Sequence, residues 1–427
     1  MAVTEPVPVV DPGPRTRGER RTAADGGAAE GILRRQAQRE SAARTYARSL
    51  PIVPVRARGL TIEGADGRRY LDCLSGAGTL ALGHNHPVVL DALRQALDSG
   101  APLHATDLAT PVKDAFVTEL FATLPAALAA DARIRFCAPN GTDAVETALT
   151  LVRAATGRDG VLALDGARHE VPDAADPAPA GMLVEPVQDG GMIPAPDGWL
   201  RRLRELTAAR SIPLIADETR TGVGRTGAFW GIGHSGVAPD VMVLSHAIGG
   251  SLPLAVVVHR AALDVPAPGP GAGTFRGNQL AMAAGAATLA YVRENGLAER
   301  AGALGTRILD RLRALAADHP CVGDVRGRGL MTGVALVDPE ASGTRTRGAG
   351  AQPPPAPGLA AELRRRCLDR GLIVGLGGRH QSVVRLLPPL TLTDEQAAAV
   401  LDRFADALAA AERAHRACRN GPVGPPG

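Results

Sequence analysis

The stretch SIPLIADETRTGVGRTGAFWGIGHSGVAPDVMVLSHAIGGSLP, Ser211 to Pro253, decides how the rest of the chain is read. It holds two short apolar runs, Ile212–Ala216 and Val241–Leu244, the first ending at Asp217 and the second at Ser245-His246. Short apolar runs bounded by turn residues are the pattern of strands buried in a parallel sheet. Ligands in such sheets lie beyond the carboxyl ends of the strands, so a carboxylate and an imidazole are expected to face one cavity.

Upstream, strand candidates alternate with helical periodicity: Ile134–Ala138, a helix over Thr142–Ala155, Val161–Leu164, Met182–Glu185, and a helix over Trp199–Ala209. Leu254–His259 follows the opening stretch as a further strand. This alternation predicts an α/β fold with a mostly parallel sheet in a large domain. A long helical stretch, Leu280 to Ala317, leads into a second pattern. There the strand candidates are Val322–Arg326, Leu330–Val337, Leu372–Val374 and Val383–Leu386, and the helices Leu359–Arg370 and Asp394–Ala414, a smaller α+β domain. Toward the N-terminus, Ile32–Leu50 reads as a helix, and Thr61-Ile62 and Arg69–Cys73 flank a turn at Asp66-Gly67. The glycine-rich run Leu74 to Pro87 leads into an amphipathic helix over Val88–Leu97. The expected divisions are an arm over 1–28, a helix and small sheet over 29–75, the large domain over 76–318, the small domain over 319–416, and a tail over 417–427. The arm and tail are expected to be disordered, because they offer little apolar surface to offset ordering entropy.

The formal charge of +3 on 427 residues shows no field of one sign, which argues against nucleic-acid and membrane partners and for a small molecule. The five cysteines are scattered and form no metal-ligand spacing, which suits reduced thiols, a cytoplasmic location and no metal site. The apolar region Val237 to Val258 is interrupted by Pro239, Asp240, His246 and Pro253, so it does not read as a membrane span.

Asn140-Gly141-Thr142 stands between a strand end and a helix start, where free amides and the helix dipole suit an anion; by itself the motif reads more readily as a capped helix. A carboxylate at Asp217 could bond a protonated heterocyclic nitrogen, or merely cap the next turn. His169 and His246 are acid–base candidates. Arg385 could receive a substrate carboxylate in bidentate fashion or form a structural ion pair.

The words LSGAGTLALGHNHP, NGTDAVETALTLVRAATGR, VEPVQ, TGVGRTGAFW, AIGGSLPLAVVV, GTFRGNQLA and RLLPPLTLT together resemble the class III aminotransferases, the ornithine and 4-aminobutyrate group of fold-type I pyridoxal phosphate enzymes. The resemblance runs from about Arg56 to Leu408, with diaminobutyrate–2-oxoglutarate aminotransferase as the nearest branch. It implies that Gly141 and Thr142 hold the cofactor phosphate, that His169 belongs to the motif covering the ring, and that Asp217 meets the pyridine nitrogen. It further implies that Thr274 contacts phosphate across a homodimer interface and that Arg385 receives a substrate carboxylate.

Against the family's pattern, His246 stands in LSHAIGG where the resemblance implies the Schiff-base lysine. Arg168 replaces an aromatic residue before His169, Arg220 replaces a glutamine, and Asp189 stands in a shortened turn in place of a glutamate. Only Glu170 to Leu183 separate His169 from the VEP strand, where the family carries several dozen residues. These departures lead us to expect a protein that is not an ordinary transaminase and binds pyridoxal or pyridoxamine phosphate non-covalently, with His246 as acid–base and Arg168 and Arg220 near the substrate. The alternatives are an enzyme using the Arg- and His-lined cavity on an anionic substrate without cofactor, a non-catalytic partner of an active aminotransferase, and a residual diaminobutyrate–2-oxoglutarate transaminase.

Overall fold

The computed structural model describes residues 24–39, 50–164, 177–265, 273–340 and 353–419. Contacts divide the chain into a unit comprising 1–55 and 63–68 and a second comprising 56–62 and 69–427. In the first, a helix runs over Ala24–Arg39, so the predicted helix over Ile32–Leu50 begins earlier, and its last residues, 40–49, lie outside the described chain. The predicted turn at Asp66-Gly67 is present: Gly67 has φ +77° and its amide donates to the Gly64 carbonyl at 2.9 Å.

The second unit is built on a six-stranded sheet in the spatial order Ala132–Phe136, Val256–Arg260, Val241–Leu244, Leu214–Asp217, Gly181–Val184, Val161–Leu164. The last four run parallel, and Val256–Arg260 is antiparallel to both of its neighbours. The predicted strands are therefore present, shifted by up to two residues, and the sheet is mixed at one side.

Every residue of Val241–Leu244 is buried, and successive residues serve opposite faces. Val241 and Val243 pack with Ala144, Ala148, Leu151 and Val152 of the helix Gly141–Thr156, whereas Met242 and Leu244 join a core that includes Trp199 and Leu203 of the helix Asp197–Ala209. Two helical layers thus cover the sheet, and the site is left at the strand ends.

Two details depart from the sequence reading. The stretch Leu280–Ala317 is two helices, Gln279–Glu294 and Leu297–Ala317, broken where Gly296 adopts φ +59°, a left-handed conformation that ends a helix. A helix over Pro111–Phe121 was not anticipated; Thr110 caps it by accepting from the Lys113 amide, and Phe116 and Leu120 are fully buried.

The C-terminal part forms an antiparallel sheet of Val322–Arg328, Met331–Leu336, Val383–Leu386 and Gly375–Gly377, with the helix Pro357–Asp369 against it and the helix Asp394–Arg419 packed on that helix. The expected strand Leu372–Val374 divides here: Leu372–Ile373 pairs in parallel with Arg69–Asp72, and Gly375 begins a strand of the other sheet.

Candidate active site

Asp217 ends its strand with its carboxylate held by the chain that follows, since Oδ1 accepts from the Thr219 amide at 2.9 Å. Burial pushes the Asp217 carboxyl up from its ordinary value, and Thr219 and the Arg220 guanidinium oppose that shift. The next residue points the other way. Glu218 is fully buried and accepts from the Gly231 amide at 2.8 Å, the Ile232 amide at 2.7 Å and the Thr221 hydroxyl. Alternation along a strand therefore separates two adjacent carboxylates, one serving the cavity and one serving the loop behind it.

Val243 lies opposite Asp217 on the adjacent strand, and the chain then enters a short turn, His246–Gly249. His246 adopts φ +55°, a conformation that a non-glycine residue holds only where surrounding packing enforces it. That packing is close. A Cβ on Gly285 would lie 2.2 Å from the Ile248 carbonyl oxygen, and one on Gly250 would lie 2.3 Å from that of Ala284, so the helix Gln279–Glu294 presses directly on the turn. Burial, followed by the nearby Arg220 charge, lowers the His246 pKa below its ordinary value, although Asp189 opposes this. The imidazole is therefore neutral at pH 7, and its Nδ1 is buried with no hydrogen-bond partner among the described residues.

The third component is the N-terminus of the helix Gly141–Thr156. Asn140 accepts from the Asp143 amide at 2.9 Å, which leaves the Gly141 and Thr142 amides without intrahelical partners. A Cβ at Gly141 would lie 2.9 Å from Thr219 Cγ2 and 3.6 Å from His246 Cε1, so this glycine is what lets the helix end meet both strand ends.

Gly141, Thr142, Asp217, Arg220 and His246 consequently line one cavity of about 830 Å³. Arg385 is not in its wall but is linked to it, because Asp189 Oδ2 lies 3.1 Å from Arg220 Nη1 and 3.0 Å from Arg385 Nη1. Thr274 lies apart, in an exposed turn with its carbonyl accepting from His104 Nε2 at 2.8 Å. Arg168 and His169 lie outside the described residues.

Sequence reasoning missed two features. Thr219 was not singled out, yet its amide holds Asp217 and its side chain lines the cavity beside that carboxylate. Its position two residues after a strand-terminal Asp was the available signal. The second feature is the supply of amines. The whole chain contains one lysine, Lys113, which a simple count reveals. Lys113 lines a different cavity, with its Nζ 5.0 Å from the centre of the Phe136 ring.

These groups fit a phosphorylated pyridine cofactor: helix amides and a threonine hydroxyl for phosphate, a carboxylate for a ring nitrogen, and His246, whose Nδ1 has no partner among the described residues, in the same cavity wall. Among the described residues no group of three or more potential ligands gathers for a metal ion, and no helix is long and apolar enough to cross a membrane.

The sheet and its covering helices form the α/β fold of the type I pyridoxal phosphate enzymes, as the solved relatives agree. The structure resembles acetylornithine aminotransferase from Elizabethkingia anophelis, with TM-score 0.76 and 25% identity over 90% of this chain and 99% of that one. It resembles in fold the ornithine aminotransferase of Toxoplasma gondii ME49, with TM-score 0.75 and 24% identity over 93% of this chain and 100% of that one. The chain belongs to the class-III aminotransferase family, whose profile matches residues 42–171 and 166–408. Among curated relatives, it is 44% identical to diaminobutyrate–2-oxoglutarate aminotransferase of Rhizobium meliloti, over 89% of this chain and 92% of the relative. It is 36% identical to the corresponding protein of Haemophilus influenzae, over 87% of this chain and 94% of the relative.

Proposed function

We propose that this chain transfers amino groups to and from a diaminobutyrate-like amino acid using pyridoxal or pyridoxamine phosphate that is held without a covalent link. The observation that carries this reading is the count and position of lysine: the one lysine, Lys113, lines another cavity, and His246 stands at the strand end beside Asp217. The relatives' names support the substrate class. This shifts the weight from a departed reaction toward residual transamination, while retaining the non-covalent cofactor.

When bound, the cofactor supplies an electron sink for the carbon bearing the amine. The chain supplies the rest. Gly141 and Thr142 hold the phosphate at the helix N-terminus, and Asp217 keeps the ring nitrogen protonated. His246 Nδ1, neutral and unpartnered among the described residues, takes and returns the proton at the amine-bearing carbon. Arg385 and Arg220 serve the substrate carboxylate. His169 covers the ring with Arg168 beside it, and Thr274 completes the phosphate site of a second copy in a homodimer. The exposure of Thr274 and of Phe275, which is 68% accessible, supports this last assignment.

A shortened segment between His169 and Leu183 also belongs to this reading. The family profile matches in two pieces that overlap at residues 166–171. The alignment with the Rhizobium relative extends over 438 positions yet spans 89% of a shorter chain, so a number of its positions have no residue here.

The decisive variant is Lys113→Arg, a full-length chain with no lysine. It should bind pyridoxal phosphate and pyridoxamine phosphate as the parent does, seen by absorbance, and borohydride should fix no cofactor to either protein at the cavity. Loss of binding in Lys113→Arg, or failure of the parent to bind either form, would overturn the proposal. His246→Lys should gain a borohydride-fixed cofactor and faster half-transamination of 2,4-diaminobutyrate.

A further inference from the structure

Thr274 and Phe275 stand exposed in the short turn Thr274–Gly277, yet the backbone of that turn is tied on both sides of Thr274. The peptide before Thr274 is held by Arg276, whose Nη1 donates to the Gly273 carbonyl at 2.6 Å. The peptide after it is held by His104, whose Nε2 donates to the Thr274 carbonyl at 2.8 Å. A carbonyl oxygen only accepts, so His104 carries a proton on Nε2 in this bond. Peptide units are planar, so holding the two that flank Thr274 restricts both of its backbone dihedrals and with them the direction of its side chain.

Both ties come from one neighbouring segment. Arg276 Nη2 meets Asp107 Oδ1 at 2.7 Å, and Asp107 lies three residues after His104. The two segments touch backbone to backbone. The Ala105 amide donates to the Gly277 carbonyl at 3.0 Å, the Gln279 amide donates to the Leu103 carbonyl at 3.0 Å, and a Cβ on Gly277 would lie 2.6 Å from the Thr106 nitrogen. The His104 ring also meets the Phe275 ring edge-on, with centroids 6.1 Å apart.

Ordering an exposed turn costs backbone entropy, and the side chains it carries gain little burial within the chain: Phe275 stays exposed, as do Leu103 and Leu108 on the facing segment. Thr274 does not line the cavity of its own chain. The root of the turn nevertheless abuts the phosphate-type helix start, because a Cβ on Gly273 would lie 2.8 Å from the Cβ of Ala138, three residues before Gly141. A two-fold axis passing beside adjacent features of this kind brings the turn of each copy to the helix start of the other.

We propose that His104 is the positioning residue for Thr274, fixing the turn so that the threonine hydroxyl meets the cofactor phosphate in a second copy of the chain. This rests on the reading in which Thr274 completes that site in a homodimer, and it adds the residue through which Thr274 is held.

Fluorescence titration of the full-length protein with pyridoxamine phosphate, and with pyridoxamine, which lacks the phosphate, tests it. His104→Ala should remain dimeric by sedimentation velocity and bind pyridoxamine phosphate about fivefold to tenfold more weakly, with its affinity for pyridoxamine unchanged. His104→Gln keeps an N–H donor on a side chain of similar reach and should recover part of the loss. Thr274→Ala should cost about as much, and adding His104→Ala to it should cost little more, since a positioning residue acts only through the group it holds. Full additivity of the two losses, an equal loss for pyridoxamine, or no loss in either single variant would overturn the proposal. So would a monomeric His104→Ala chain, which would make His104 a contact residue of the interface. Failure of the parent to bind pyridoxamine phosphate would overturn the underlying reading instead.

Discussion

Asp217 stands opposite Val243 on the neighbouring parallel strand, and this register brings His246, which follows the end of the second strand, over the cavity that receives the Asp217 carboxylate. A slip of one residue would turn Asp217 into the core and Glu218 toward the cavity, since strand side chains alternate between faces. The positions of the Asp217 carboxylate and the His246 imidazole are thus set by one pairing in the middle of the sheet.

Asp217→Asn removes the charge that would meet a protonated ring nitrogen. A hydrogen bond to a charged group contributes about 1.5–3 kcal/mol. Fluorescence titration with pyridoxamine phosphate should therefore show affinity falling by about tenfold to a hundredfold. Unchanged affinity would remove Asp217 from the cofactor site.

Gly285→Ala tests the packing beneath His246. The new Cβ would lie 2.2 Å from the Ile248 carbonyl oxygen and 3.0 Å from Phe116 Cε2. Overpacking of this kind costs about 1–3 kcal/mol. Thermal unfolding should show a lower Tm, and the displaced turn should weaken cofactor binding with it. Gly358→Ala, in a helix and with nothing within 4 Å of its Cβ, is the control and should lower neither, since Ala is the better helix former.

Glu218 gives a pH dependence of stability. Burial pushes its carboxyl from the ordinary 4.5 to about 7, so the folded chain holds this proton more tightly than the unfolded chain. The stability it contributes is full below the unfolded value and is lost as pH rises from 4.5 to about 7. At about 1.4 kcal/mol per unit, the loss is roughly 3 kcal/mol. Glu218→Gln carries no such proton, so urea unfolding between pH 5 and pH 8 should show the parent losing stability relative to the variant. Parallel pH profiles would contradict the assignment.

Much of the large sheet was legible because its signals are local. Val161–Leu164 and Val241–Leu244 begin and end as their apolar runs do, and Asn140 caps the helix that its position before Gly141-Thr142 predicted. The helix Pro111–Phe121 was not legible, because its buried side chains, Phe116 and Leu120, are too few to mark an apolar stripe in PVKDAFVTELF. The break at Asn295-Gly296 carried a signal, the glycine, that apolar periodicity on both sides concealed.

The sequence alone determined the chemistry available to this chain: a carboxylate and an imidazole at two strand ends, a capped helix start at Asn140-Gly141-Thr142, and one lysine in 427 residues. Those are properties of residue type and short-range spacing. Only the tertiary structure decided which arginine faces the cavity. Asp189, Arg220 and Arg385 belong to three separate elements, and they meet because the C-terminal sheet packs against the turn at Asp189 while Arg220 follows the strand of Asp217. Depth then separates the two guanidinium groups, leaving one at the surface of the cavity and the other behind the carboxylate that they share.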